Sequence, residues 1–147
     1  MKRILIVLAC LVVLAGSAAA ETVYVLCQPG SYVNVRLFPK KGAEIAGRVE
    51  LGEALETDGK TKNGYVHVCG FEGGAWISKG FVTTSPVKRL KVKTQIHSKG
   101  RVACRRSING TRRKWLSDGT EVTVYAFSDD WSITDHGFIK TAYLGGF

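Results

Sequence analysis

The sequence is poor in the residues that build metal centres and reactive thiol sites. Its 147 residues include three histidines and four cysteines, and none of them stand at a C-x-x-C or H-x-x-x-H spacing. Cys69 and His67 are two residues apart and would share one face of a strand, but no helix N-terminus is predicted beside them to lower the pKa of a thiol. No glycine-rich phosphate loop opens a helix. The sequence therefore predicts a protein that is not an enzyme and uses no metal or other cofactor.

Long apolar runs are confined to the first twenty residues. Lys2 and Arg3 precede an apolar run at 4–15, and a small-residue tail offers an A-x-A cleavage site before Glu21. The run is shorter than the roughly 20 apolar residues that span a bilayer. This layout predicts a secretory signal peptide, residues 1–20, with an uncleaved membrane anchor as the alternative. The mature chain is expected to be secreted or periplasmic, associated with the cell envelope, and without a membrane partner.

Helical periodicity is nearly absent after the predicted signal peptide. Short runs such as TVYVL, YVNVR, YVHV and VTVYAF are rich in valine, threonine and aromatic residues, and glycine, aspartate, asparagine or lysine bounds them. Strands at this spacing, with turn residues between them, predict an all-β fold built as a small barrel or sandwich.

Acidic residues are scarce in the second part of the chain. Residues 21–86 hold 7 basic and 7 acidic side chains, whereas residues 87–147 hold 12 basic and 5 acidic ones, a net charge of +7. A basic region is either a solvated surface or an attractor for anions. A secreted basic domain would meet anionic wall polymers or lipid head groups before nucleic acid, so no nucleic-acid partner is predicted.

Four sequence blocks occur twice, in the same order. They pair as VNVR (33–36) with VACR (102–105), LGEALET (51–57) with DGTEVTV (118–124), NGYVHV (63–68) with DDWSIT (129–134), and AWISKGFV (75–82) with GFIKTAYL (137–144). We interpret them as two copies of one module, residues 21–84 and 92–147. The linker is predicted at 85–91, where Pro86 and basic residues mark a break.

The third pair of blocks disagrees in its alternation. The apolar residues Trp131 and Ile133 do not fall in the phase of Val66 and Val68. Because side chains alternate between the two faces of a strand, this mismatch requires a bulge or a shifted alignment.

The blocks resemble the bacterial Src-homology-3-type domain, SH3b, whose pattern is a strand ending in L-N-V-R, a loop, a V-x-G-x-L-x-x-G hairpin, an aromatic-led strand and a G-W-V-x-x-x-Y-L close. The first copy reads VNVR, IAGRVELGEAL, GYVHV and GAWISKGF. The resemblance implies two tandem small SH3-like β-barrels of five to seven strands. Val33 and Val35 would then point into the first barrel while Asn34 and Arg36 point out, and Val102 and Cys104 would take the inward places of the second.

The family's usual S-G-P-S loop is replaced by LFPK in the first copy and RSIN in the second. We call these segments, with the residues that lead back to the next strand, the hook loops. Pro39 fits such a loop because it lacks an N–H and its φ is fixed. Arg36 and Arg105, at the ends of the preceding strands, are expected either to donate hydrogen bonds to hook-loop carbonyls or to contact a ligand.

The cysteines of an exported protein are expected to be structural. Cys104 takes an inward position as a small buried hydrophobe, which leaves Cys27 and Cys69 for a disulfide within the first copy. The chain-entropy model gives about 4 kcal/mol for closing a loop of roughly 43 residues.

The candidate ligand-binding residues are aromatic or polar side chains near the hook loops, and they are Tyr32, Asn34, Phe38, Tyr65, Arg105, Arg112, Arg113 and Trp131. Aromatic rings with one polar edge suit peptide or sugar recognition. Trp131 follows two aspartates at a strand start and is expected to be partly exposed, whereas Trp76, Phe81 and Phe138 are expected in the core.

These features predict a secreted, non-catalytic binding module of the cell envelope that recognises peptidoglycan peptide or an anionic wall polymer. Peptidoglycan as the ligand is what the resemblance implies. The residues themselves indicate a secreted, basic protein built from two tandem β modules. The alternative is a protein-interaction adaptor or inhibitor that docks on another protein. The charge imbalance further predicts that residues 87–147 alone bind an anionic polymer.

Overall fold

The computed structural model describes residues 20–146, and it shows an all-β protein with two sheets. The all-β prediction is confirmed. The predicted signal peptide lies outside the described residues except for Ala20. Within residues 20–146, no helix has the length and apolar character needed to cross a membrane.

The first sheet has seven strands in the order β3-β2-β6-β5-β4-β1-β7. The strands are β1 (Glu21–Val25), β2 (Tyr32–Arg36), β3 (Ile45–Glu50), β4 (Ala54–Lys62), β5 (Tyr65–Val68), β6 (Ala75–Ser78) and β7 (Val82–Thr83). A single 3₁₀ turn, Lys79–Phe81, joins β6 to β7. Asn63 and Gly64 both have positive φ between β4 and β5, which is the backbone of a two-residue hairpin turn.

The second sheet has six strands in the order β10-β9-β13-β12-β11-β8. The strands are β8 (Lys88–Gln95), β9 (Val102–Arg105), β10 (Arg112–Leu116), β11 (Glu121–Phe127), β12 (Trp131–Thr134) and β13 (Gly137–Lys140). A 3₁₀ turn, Thr141–Tyr143, follows β13. Residues 20–87 are called the first half below, and residues 88–146 the second half. Because β8 begins at Lys88, residues 88–91 of the predicted linker belong to the second sheet.

The two strand orders correspond position by position. From β3 to β1 in the first sheet and from β10 to β8 in the second, each strand has a counterpart at the same place, and β7 is an addition to the first sheet. Each of the four sequence blocks lies on corresponding strands. A 3₁₀ turn also follows the corresponding strands β6 and β13.

Alternation along β2 and β9 places the apolar residues as the sequence predicts. Val33 and Val35 are buried, and the intervening Asn34 is only half-buried. Val102 and Cys104 are buried in the same way on β9. The inward positions predicted for both strands are confirmed.

The buried apolar residues form two clusters, and the larger one spans both halves. It contains first-half residues together with Ala126, Trp131, Ile133 and Phe138 of the second half. The smaller cluster lies within the second half and consists of Ile96, Val102, Cys104, Leu116, Val122 and Ile139, with Leu144 packed against it. The larger core is therefore shared by the two halves.

Strand β12 explains the mismatch between the repeated blocks, because both of its faces are buried. Ser132 lies opposite Ile139 of the smaller cluster, whereas Ile133 lies opposite Phe138 of the shared cluster. Trp131 is only 6% exposed. The expected partial exposure of Trp131 is wrong, because this outer face of the second sheet is covered in the shared core.

Polar contacts also join the halves. The side-chain amide of Gln28 donates to the Thr134 carbonyl at 3.0 Å, and the Ile108 N–H donates to the Gly80 carbonyl at 2.8 Å. Arg89 donates to the carbonyl of Leu51. These bonds, together with the shared core, fix one half against the other.

The predicted Cys27–Cys69 disulfide is not formed, because both residues are free thiols in the structure. Cys27 packs in the shared core, whereas Cys69 is exposed. Strand β5 ends at Val68. The next residue, Cys69, lies at the surface, whereas Cys27 is buried, so the two thiols lie in different environments.

Candidate anion-binding site

A cleft of about 640 Å³ lies between the two halves. The first half contributes the outer face of β2 and neighbouring side chains, and the second half contributes basic and apolar ones. The lining includes Tyr32, Asn34, Arg36, Tyr65, Ser78 and Phe81 from the first half, and Arg105, Arg106, Arg113, Gly137 and Phe138 from the second half, with Cys27, Gln28, Ser31 and Val33 completing it. We call this the interhalf cleft.

Arg36 and Arg105 occupy corresponding positions at the ends of β2 and β9. Arg36 Nη1 donates to the carbonyl of Ala43 at 2.6 Å, and Arg105 Nη1 donates to the carbonyl of Gly110 at 2.9 Å. Of the two roles expected for these arginines, the bond to a hook-loop carbonyl is present in both cases. A guanidinium has five N–H donors in a planar fork, so one such bond orients the group and leaves donors for a ligand in the cleft.

Arg113 enters the cleft because β10 contains an irregularity. Arg112 lies opposite Arg105 and Lys114 lies opposite Cys104, and the register shifts between them. Arg113 is therefore the extra residue of a bulge, a feature that re-aims side chains. Its neighbour Arg112 does not line the cleft and instead stands over the ring of Trp115, with Cζ 4.6 Å from the ring centre.

The cleft is strongly basic. Four arginines line it and no acidic side chain does. Within the described residues, the salt bridges join Asp58 to Lys60 and His67, and Glu121 to Lys93. No cleft arginine belongs to these pairs, so the cleft carries positive charge of the kind that attracts anions.

Asn34 adds a polar feature to the basic wall. Its side-chain oxygen is buried and has no hydrogen-bond partner among residues 20–146. This oxygen is itself inaccessible from the cleft, so the groups offered to a ligand are those of the arginines and tyrosines. The cleft is therefore suited to a ligand that carries an acidic group.

Five of the eight predicted ligand-binding residues come together in the interhalf cleft, and they are Tyr32, Asn34, Tyr65, Arg105 and Arg113. Three do not line it. Phe38 is 64% exposed on the first hook loop, Arg112 lies beside the cleft against Trp115, and Trp131 is buried. Of the aromatic residues expected in the core, Phe138 is buried, whereas Trp76 and Phe81 are half-buried.

Arg36 and Arg106 are cleft residues that the site prediction did not contain. Arg36 had a signal in the sequence, since it aligns with the predicted Arg105. Arg106 also had one, since it begins the second hook loop RSIN, although strand alternation would send it to the face opposite Arg105. Strand β9 ends at Arg105, so that alternation no longer applies at Arg106.

Within residues 20–146, no hydrogen bond joins a cysteine thiol to a histidine ring. His67 Nδ1 lies 2.9 Å from an Asp58 carboxylate oxygen, and its ring packs edge-on against Trp76. Its Nε2 lies against Gly74, so close that a Cβ at that glycine would overlap it. Burial raises the pKa of the Cys27 thiol despite the lowering effect of nearby Arg89, and burial also raises the pKa of Cys104. A nucleophilic cysteine needs the opposite shift.

Potential metal ligands are dispersed. Across the part of the chain that the structure describes, no three His, Cys, Asp or Glu side chains form a group that could hold a metal ion.

Comparison with known proteins finds no matching family model and no matching curated protein. Among solved structures, NlpC1 from Trichomonas vaginalis is 18% identical, with 90% of this chain and 48% of that chain covered and a TM-score of 0.38. NlpC2 from the same organism is 15% identical, with 88% and 49% covered and a TM-score of 0.36. The chain thus spans about half the length of these two proteins. TM-scores this low support no inference about shared fold or function.

Proposed function

We propose that this protein is a secreted, non-catalytic binding protein of the cell envelope, and that it holds peptidoglycan peptide or an anionic wall polymer in the interhalf cleft. The observation that carries the proposal is the convergence of Arg36, Arg105, Arg106 and Arg113 on one cleft without an acidic side chain. Planar guanidinium groups suit carboxylates and phosphates, which they bind through paired hydrogen bonds.

The proposal includes the architecture. Each half is taken as an SH3b-like barrel, with the signal peptide at 1–20 removed on export. The matching strand orders support two copies of one module. So does the equivalent use of Arg36 and Arg105, each of which bonds the loop that follows its own strand.

A binding role fits the cleft better than a chemical one. The thiol that lines it, Cys27, has a pKa raised by burial, and neither His67 nor His136 lines the cleft. The polar lining consists of arginine, tyrosine, asparagine, glutamine and two serines, Ser31 and Ser78. Among residues 20–146, no histidine or carboxylate lines the cleft to activate a serine hydroxyl.

The binding strength expected of the cleft indicates a ligand with several acidic groups. Hydrogen bonds to charged groups contribute about 1.5–3 kcal/mol each, while association costs about 4 kcal/mol or more. A single carboxylate or phosphate would therefore bind weakly. A wall component with repeated acidic groups would bind well.

The test is a pull-down of the secreted protein on insoluble peptidoglycan, prepared with and without its teichoic acid, across a salt series. The test variant is Arg106→Glu with Arg113→Glu, since neither of these side chains has a loop-holding bond like those of Arg36 and Arg105. The matched control is Lys62→Glu with Lys91→Glu, which makes the same charge change at exposed positions outside the cleft.

We expect the cleft variant to bind at least tenfold more weakly than the wild type and the control variant, and binding to weaken as salt rises. Loss of binding after teichoic acid is removed would identify the polymer, and retained binding would assign the ligand to peptidoglycan itself. Binding that depends neither on the salt concentration nor on the charge reversal in the cleft would contradict the proposal. Capture of a protein instead of wall material would favour the adaptor alternative.

A further inference from the structure

A second aromatic and basic feature lies on the outer face of the second half. Trp115, on the edge strand β10, is 44% exposed. The guanidinium carbons of Arg112 and Arg101 lie 4.6 and 5.4 Å from its ring centre. A single exposed aromatic side chain is ordinary on a protein surface. This one is distinguished by the two guanidinium groups beside it, which combine an aromatic ring with positive charge. We call Arg101, Arg112 and Trp115 the tryptophan patch.

The tryptophan patch borders the interhalf cleft. Arg112 lies directly opposite Arg105, which lines the cleft, and Trp115 lies opposite Ala103 on the same strand. Ala103 and Arg105 are two residues apart, so they share the outer face and are separated by about 7 Å along the strand. The basic surface therefore continues from the cleft, across β9, to the exposed indole.

The corresponding surface of the first half is different. Tyr32 is 49% exposed, with the guanidinium of Arg48 4.4 Å from its ring centre. Its cross-strand neighbour is the exposed acidic residue Glu50, which offsets the charge of Arg48. An anionic chain that leaves the cleft is therefore favoured toward the second half and not toward the first.

We infer that the cleft and the tryptophan patch form one continuous site for an anionic glycan, a linear chain of sugar rings with repeated acidic groups. The acidic groups pair with the cleft arginines and with Arg101 and Arg112, and a sugar ring packs on the free part of the Trp115 indole. This inference rests on the proposed function and narrows its ligand to a polymer longer than one or two repeats.

The experiment uses the mature protein and size-defined oligogalacturonates, which carry one carboxylate on every sugar ring, from the dimer to the dodecamer. We expect affinity to rise with chain length and then level off once the chain reaches Trp115. Intrinsic fluorescence should change only with the longer oligomers. The change should be absent in Trp115→Phe, because Trp131 is buried and Trp76 lies outside the lining of the cleft.

Trp115→Ala should weaken binding of the dodecamer about tenfold, the effect of losing one well-placed aromatic contact, and leave dimer binding unchanged. Tyr143→Ala is the control, since it removes another exposed aromatic ring, 39% exposed, outside the patch. Arg101→Gln with Arg112→Gln is a second route to the same result should Trp115→Ala fold poorly.

Equal effects of Trp115→Ala on dimer and dodecamer, or no effect on either, would overturn the continuous site. Binding of a neutral maltooligosaccharide as tight as that of the oligogalacturonate would overturn the claim that the acidic groups of the glycan pair with the arginines. Tight binding of oligothymidylate without binding of oligogalacturonate would overturn the choice of a glycan. If wall material still binds in a manner that depends on Arg106 and Arg113, the proposed function stands in each of these cases.

Discussion

At the scale of single residues, the arginine at the end of a strand serves two purposes. Arg36 and Arg105 each donate to a carbonyl of the hook loop that follows, at 2.6 and 2.9 Å. The loop carbonyl gains a charged donor, and the guanidinium gains a fixed orientation at the wall of the cleft. A lysine would keep the charge but lose the planar fork that allows one group to do both.

Removing one of these arginines should therefore affect both folding and binding. Arg36→Ala is expected to lower the free energy of unfolding by about 1–2 kcal/mol, because the half-buried Ala43 carbonyl loses its charged donor. Urea denaturation followed by circular dichroism measures this change. Lys62→Ala, at an exposed position, is the control and should shift stability by less than about 0.5 kcal/mol.

The outcome separates the two roles of Arg36. An unchanged free energy of unfolding together with lost ligand binding would mean that the residue acts only on the ligand. A lower free energy of unfolding with unchanged binding would mean that it only holds the loop.

At the scale of elements, β12 shows how one strand can belong to two cores. Ser132 and Ile133 are both fully buried, although adjacent residues point to opposite faces of a strand. Ser132 faces Ile139 of the second half's own cluster, and its hydroxyl forms a hydrogen bond with that of Thr141 at 2.9 Å. Ile133 faces the shared core. The strand thus links the folding of the second half to the presence of the first.

Truncation of Ile133 tests this link. Ile133→Ala should cost about 2–5 kcal/mol, the range for removing a large aliphatic side chain from a packed interior. Ile45→Ala is a matched control, because Ile45 is 43% exposed on an edge strand. Differential scanning calorimetry compares the two. Equal small shifts would show that the outer face of β12 is not part of a tightly packed core.

At the scale of the whole molecule, the two halves are joined by the shared core. Four buried apolar residues of the second half belong to this core together with first-half residues, and the cleft itself takes lining residues from both halves. The shared core leads to an expectation that differs from the one based on charge alone, in which residues 87–147 bind an anionic polymer by themselves. Separation would expose apolar side chains and remove one wall of the site.

We predict a single cooperative unfolding transition for the mature protein, that is, residues 21–147 without the predicted signal peptide, and no native fold for residues 87–147 alone. Fully burying a large apolar side chain contributes about 1.5–3 kcal/mol, so exposing Trp131, Ile133 and Phe138 costs a large share of a typical stability of about 5–15 kcal/mol. Calorimetry of the mature protein and binding of a hydrophobic dye to the fragment measure these outcomes. Two separate transitions, or a fragment with a sharp transition and little dye binding, would contradict the prediction.

The sequence by itself determined what depends on neighbours along the chain. The alternation of Val33 and Val35 with Asn34 follows from the period of two in a strand, and Asn63-Gly64 fixes a hairpin turn because both residues tolerate positive φ. The order of the repeated blocks also predicted which strands of the two sheets correspond. Tyr32, Tyr65, Arg105 and other cleft residues were found because they lie near the hook loops.

Only the tertiary structure decided which outward-facing side chains remain exposed. Trp131 lies on an outer face by alternation, and its burial depends on contact with a half of the protein that is distant in sequence. Arg36 and Arg113 meet in one cleft for the same reason, and Cys69 lies at the surface whereas its predicted partner Cys27 is buried. Local periodicity sets the side of a strand on which a residue lies, whereas the covering of that side is a property of packing between the halves.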